Sequence, residues 1–174
     1  MTTVDVVIED ARWENLQLTP IATRVADSVT SKLKVPEGYE IALLACDDLT
    51  ITKLNEEFRG KPQPTNVLSW PTLDLAPLLP GETPAKAPGA SGFDDSLGDV
   101  ALAYETCARE AEEQGKALKD HVTHLILHGT LHLLGYDHET DADAALMERI
   151  ETEVLAELGI PDPYSPPAAL EGRA

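Results

Sequence analysis

One stretch restricts this chain more than any other: His128-Gly-Thr-Leu-His132-Leu-Leu-Gly135-Tyr-Asp-His138. His128 and His132 lie one helical turn apart, so on a helix both imidazoles project from the same face. His138 cannot join them by continuing that helix, because ten residues at ~1.5 Å rise would carry it ~15 Å along the axis. Gly135 removes the obstacle. Glycine adopts the left-handed conformation that ends a helix and turns the chain back. The pattern predicts a three-histidine metal site, His128, His132 and His138, with an open coordination position.

All five histidines fall between positions 121 and 138. His124, His128 and His132 form one stripe, but three histidines spread over ~12 Å of helix cannot share one ion. His138, returned by the turn, can. His121 and His124 are therefore read as supporting or surface groups. Neutral imidazoles suit zinc, and three protein ligands leave a fourth place for water. Nickel, copper and cobalt accept the same donors, so the ligand set alone does not fix the ion. A structural zinc site closes with a fourth Cys or His, and the motif has none, which favours catalysis over scaffolding. Such an ion lowers the pKa of bound water to roughly 7 and polarises a phosphoryl or carbonyl oxygen. Asp137 and Glu139 flank the last histidine, and Glu139 is expected to cap the next helix.

The spacing also resembles the metzincin zinc-protease signature with one loss. In those proteases a Glu directly after the first His takes a proton from the metal-bound water. Gly129 stands at that position here. Peptide hydrolysis without its base loses a term often worth about 10²–10⁴-fold. RNA phosphodiester cleavage has a different requirement. Its nucleophile is the internal 2′-hydroxyl or activated water, and the main demand is charge stabilisation on the phosphate. An arginine near the metal meets it. Arg59, in the turn between a second helix and the Thr65–Trp70 strand, is the candidate.

Periodicity and punctuation give the rest of the organisation. Residues 4–8 read as a first strand, and Thr19-Pro20 as the N-cap and first position of a helix running to about Leu33. Tyr39 to Cys46 reads as a central strand. Asp47-Asp48 caps a second helix with Leu49, Leu54 and Phe58 as a rough apolar stripe. Asn66 to Trp70 reads as a short strand that Pro71 ends, at a sheet edge. Leu97 to Ala103 is a further strand. Helices follow at Tyr104–Gln114, closed by Gly115, and at Leu118–Leu134. A last helix runs from a capping box at Thr140-Asp-Ala-Asp143 through Leu158. The order β-α-β-α-β-β-α-α-α predicts an α+β fold, with a single mixed sheet of about four strands packed with helices. Positions 1–164 are read as one domain. Within it, the Pro/Gly-rich stretch 72–95 is a long surface loop, and 165–174 is a disordered tail.

Composition bounds the function classes. Hydrophobic content of 43% and charged content of 25% are ordinary for a soluble globular chain. No apolar run approaches the ~20 residues of a membrane span, and the acidic N-terminus does not resemble a signal peptide. Cys46 and Cys107 stand in no metal spacing, so a disulfide framework is not expected and a reducing cytoplasm is the default compartment. The net charge is −18, which argues against nucleic acid unless a local basic patch exists. Lys53, Arg59 and Lys61 are the densest candidate.

These residues together resemble the YbeY family, bacterial metal-dependent endoribonucleases of ribosomal RNA maturation. The resemblance runs from about Asp47 to Tyr164. It rests on Leu54-Asn55, Phe58-Arg59-Gly60-Lys61, Thr65-Asn-Val-Leu-Ser-Trp70-Pro, Leu97-Gly-Asp99-Val, the histidine motif, and Met147 with Glu148 and Glu151. It implies zinc held by His128, His132 and His138, with Arg59 as the functional arginine in a positively charged cavity. It further implies single-strand-specific cleavage of RNA, maturation of the 16S rRNA 3′ end and ribosome quality control. The implied partners are the small ribosomal subunit, its proteins and assembly factors. Lys61, Asn66 and Ser69 are candidate substrate contacts. In this family the Thr65 block commonly reads Thr-Asp-Val-Leu-Ser-Phe, so Asn66 lacks the usual charge and Trp70 keeps an aromatic. The 72–95 stretch is longer than typical. An assembly factor with a mainly structural zinc, or a metalloprotease with an unconventional base, are the competing readings.

Overall fold

Short apolar segments bounded by turns form four strands: β1 (Thr3–Ile8), β2 (Glu40–Cys46), β3 (Val67–Pro71) and β4 (Ser96–Ala103). In the computed structural model, which describes residues 2–90 and 95–164, they form one sheet in the order β1-β2-β4-β3. β1, β2 and β4 run parallel, and β3 is antiparallel to β4. The expected mixed sheet of an α+β fold is therefore present. The parallel β1–β2 pair needs a crossover, and α1 (Leu18–Lys32) supplies it. β3 lies at the edge, where the missing N–H of Pro71 is tolerated.

Four more helices complete the fold: α2 (Asp48–Arg59), α3 (Tyr104–Glu113), α4 (Leu118–Leu133) and α5 (Asp141–Glu157). Their caps explain their limits. The Asp47 carboxylate accepts from Thr50 N at 2.8 Å, and Gly60 in the left-handed region closes α2. Thr140 Oγ1 accepts from Asp143 N, as a cap should. The reciprocal half of the expected capping box is absent, because Asp143 accepts instead from Gly81 N at 2.8 Å.

Two expectations are corrected, and one element is added. α1 begins at Leu18 behind Gln17, whose φ of 57° makes the turn without a side-chain cap, so Thr19 is already helical. A short 3-10 helix, Ala11–Leu16, precedes it. It seats the fully buried Trp13, whose indole N–H donates to the Cys46 carbonyl at 2.8 Å. In α2, Ile51 and Asn55 are the buried residues, whereas Leu49 and Phe58 are 65% and 57% exposed.

The sheet separates two apolar clusters. Ile41, Leu43 and Ala45 of β2 and Val100 and Leu102 of β4 join α1, α4 and α5 in the larger one. Leu68, Ala101 and Ala103 pack with Ile51 on the other face, with Leu54 and Trp70 at its margin. α4 is the central helix, touching α1, α3, α5, β3 and β4. It is accordingly buried on most of its circumference. The segment 72–90 carries no helix or strand but is tied down. Leu75 and Ala87 are buried, and the Tyr39 hydroxyl donates to the Pro88 carbonyl at 2.6 Å. The expectations for 91–94 and for the 165–174 tail lie outside the described residues.

Candidate metal centre

The C-terminus of α4 builds the site. Its last turn closes with two crossed bonds, Tyr136 N to the Leu131 carbonyl at 3.0 Å and Gly135 N to the His132 carbonyl at 3.1 Å. This is the glycine-dependent stop that the sequence predicts. Gly135 has φ +97°, and a Cβ there would approach the Leu75 backbone carbonyl to 2.7 Å. The turn thus has two demands, a left-handed residue and no side chain.

The reversal brings the three histidines together. One ligand nitrogen from each of His128, His132 and His138 lies within 4.8 Å of the others. Nε2 of His128 and Nε2 of His132 are 3.0 Å apart. Their opposite nitrogens are engaged elsewhere. Nδ1–H of His132 donates to the Tyr136 carbonyl at 2.9 Å, and Nδ1–H of His128 donates to the Glu151 carboxylate at 3.1 Å. Because these partners accept, both Nε2 atoms present lone pairs toward each other's vicinity, an arrangement that suits a metal cation. Burial, then the neighbouring His128, pushes His132 down to about 4, so it is a neutral ligand at physiological pH. The donor set therefore fits a zinc-like ion with three imidazoles.

Glu151 is the residue that sequence reasoning left without a role. It is 1% exposed. Burial opposes its ionisation, but hydrogen bonds from His124 and His128 outweigh this and hold the carboxyl at about 2. His124 Nε2 lies 2.7 Å from the same oxygen as His128, and the Tyr164 hydroxyl donates to the other oxygen at 2.7 Å. A signal existed. Met147, Ile150, Glu151, Val154 and Leu155 are the buried stripe of α5, and a carboxylate on such a stripe needs buried partners. His124 thus supports the metal ligands through Glu151. His121 belongs to a separate cluster, since its Nε2 and the Asn66 amide both meet Glu110 Oε1 at 2.9 Å.

A cleft of about 890 Å³ opens on the histidines. Arg59, at the end of α2, lines it together with His128, His132 and His138, although it is 69 positions from the first of them in sequence. Asn66 and Ser69 also line it, while Lys61 does not. The Asn66 side chain is already engaged by Glu110 and by Val67 N. Glu139, expected as a cap, is instead a wall of the cleft beside Asp74 and Asp137. Arg59 is the one basic residue among the described residues lining it.

Gly129 has a packing reason. A Cβ there would meet the Val100 methyls at 3.0 and 3.2 Å, so α4 rests against the sheet at this residue. The position of the protease base therefore faces β4, and a glutamate has no room.

Comparison with known proteins agrees across most of the length. The family model described as Endoribonuclease YbeY matches residues 5–159. Endoribonuclease YbeY of Dinoroseobacter shibae is 54% identical over 166 residues, covering 95% of this chain and 92% of its own. That of Jannaschia sp. is 53% identical over 162 residues, covering 92% and 99%. The solution structure of TM1509 from Thermotoga maritima shares the fold at 19% identity and a TM-score of 0.54, covering 95% of this chain and all of its own.

Proposed function

The chain belongs to the Endoribonuclease YbeY family, and from that premise we propose that it is a zinc-dependent endoribonuclease. Its substrate is single-stranded ribosomal RNA. It acts in maturation of the 16S rRNA 3′ end and in ribosome quality control, in the cytoplasm and together with the small subunit and its assembly factors. The observation that carries this reading is the shared cleft: three histidine ligands and Arg59 line one cavity.

His128, His132 and His138 would hold the ion, which when bound supplies Lewis acidity toward a phosphoryl oxygen and lowers the pKa of water. The protein's own groups supply the rest. Glu151 and the Tyr136 carbonyl fix the tautomers of His128 and His132 and aim their Nε2 atoms. Arg59 neutralises charge that builds on the phosphate, with a fork of donors that lysine lacks. Ser69, on the cleft face of β3, is a candidate contact for the RNA backbone. Lys61 and Asn66 are weaker candidates, the first lying off the cleft and the second already hydrogen-bonded.

Peptide hydrolysis is the poorer reading, because the position of the protease base packs on Val100. A ribosome-assembly factor with a mainly structural zinc draws support from the −18 charge. Cleavage of precursor ribosomal RNA, with and without small subunits, separates the two. Wild-type protein should carry about one ion per chain and cleave. His132→Ala should lose both metal and cleavage. Arg59→Ala should keep the metal and lose on the order of 10²-fold in rate. Full cleavage by metal-free His132→Ala would sink the proposal.

A further inference from the structure

The metal centre leaves two aromatic rings unexplained, one exposed and one half-buried. Phe58, at the end of α2, is 57% exposed, and its ring meets that of Trp70 edge-on at 5.5 Å and 72°. Both rings line the histidine cleft. Both also line a groove of about 490 Å³ with Val7, Leu44 and Leu54 over the sheet face opposite α4. They are the only residues common to the two linings. The aliphatic part of the groove is not shared with the cleft; the aromatic part is.

We propose that Phe58 and Trp70 form a stacking platform for a nucleobase of single-stranded RNA, next to the phosphate bound in the Arg59–histidine cleft. The proposal rests on the ribonuclease reading above. Three observations favour a base over a protein side chain as the occupant.

The first is charge. With 31 acidic against 13 basic residues, and Asp74, Asp137 and Glu139 lining the cleft together with Arg59, side-chain attraction for phosphate is a weak source of affinity. Stacking is the other general means of holding a single strand. It depends little on sequence, because every base has a π-face, and it is worth about 5- to 150-fold in affinity per base. The second is sequence adjacency. Phe58 directly precedes Arg59, so one helix end offers a ring for a base and a guanidinium for its phosphate. The third is strand preference. Bases in a duplex are stacked on each other and cannot turn a face to Phe58, whereas unpaired bases can.

The chain's two tryptophans make the test direct, since Trp13 is fully buried and Trp70 is not. A short single-stranded oligoribonucleotide is titrated into His132→Ala protein while tryptophan fluorescence is followed, and cleavage is measured in parallel on wild type. Expected are quenching that Trp70→Phe abolishes, and binding on the order of tenfold weaker in Phe58→Ala and in Phe58→Leu. Phe58→Trp should restore the affinity. Duplex RNA should neither quench nor compete.

Unchanged affinity in Phe58→Ala and Phe58→Leu overturns the platform, and the nuclease reading stands if wild type still cleaves. Quenching with the expected losses, but no cleavage by metal-loaded wild type, upholds the platform and removes the nuclease reading. Phe58→Ala that binds RNA normally but no longer binds small subunits would make this face a protein contact and overturn the proposal. Phe58 is largely exposed, so its variants should fold, and thermal melts of each check this.

Discussion

At the residue scale the site depends on one buried carboxylate. Glu151 receives His124, His128 and Tyr164 at once, so removing its charge loosens the ring it orients. Glu151→Gln is expected to weaken zinc binding by about 10- to 100-fold in competition with a chromophoric chelator. Tyr164→Phe, which removes one of the three partners, should weaken it less. Affinity equal to wild type in Glu151→Gln would show that the α4 helix orients His128 unaided. The histidines were legible in sequence because helical spacing and a glycine stop act over eleven residues. Glu151 was not, because its partners come from another helix and from the segment after α5. Arg59 was chosen for its chemistry and its family resemblance; only the fold shows that it shares a cleft with residues so far along the chain.

At the element scale the end of α4 carries the chemistry. Gly135→Ala would place a Cβ 2.7 Å from the Leu75 carbonyl and strain a φ of +97°. A loss of roughly 2–4 kcal/mol is expected from strain and overpacking together, with His138 displaced and zinc affinity reduced. Denaturant unfolding with and without metal measures both effects, and a variant that unfolds and binds zinc as wild type does would contradict the turn's role. Strands and most helices were legible because their caps and periods are local. Asp47, Thr140, Gly115 and Gly135 all mark element ends as expected. The start of α1 was misread because Gln17 makes its turn by backbone alone, so Thr19-Pro20 gave the stronger signal. The stripe in α2 was misread because Leu49 and Phe58 are apolar residues that the helix leaves on the surface.

At the scale of the whole molecule, acid stability can be followed through a single cap. Accepting from Thr50 N holds the Asp47 carboxyl below its ordinary range. A depressed folded pKa adds stability above the ordinary value near 4, and this is lost as pH falls through the folded one. Stability should therefore decline below about pH 4. Asp47→Asn keeps an accepting oxygen, so it should flatten part of that decline while costing little at pH 7. Urea titrations across this range test it, and parallel pH profiles for the two proteins would refute it. The sheet has a less obvious property. Gly98, with φ +138°, lies so close to the Trp70 carbonyl that any side chain would collide with it, which pins β3 in register against β4. Successive residues of β3 face opposite ways, so Ser69 belongs to the histidine side, while Trp70 packs at the margin of the second cluster with its ring at the seam between the two sides. A slip of one residue would exchange them. The strand is thus a partition with two differently furnished rooms, and Gly98 is its latch. The Pro/Gly-rich segment that follows is held to the same frame, since Leu75 packs against the Gly135 turn and residues 72–76 wall the cleft.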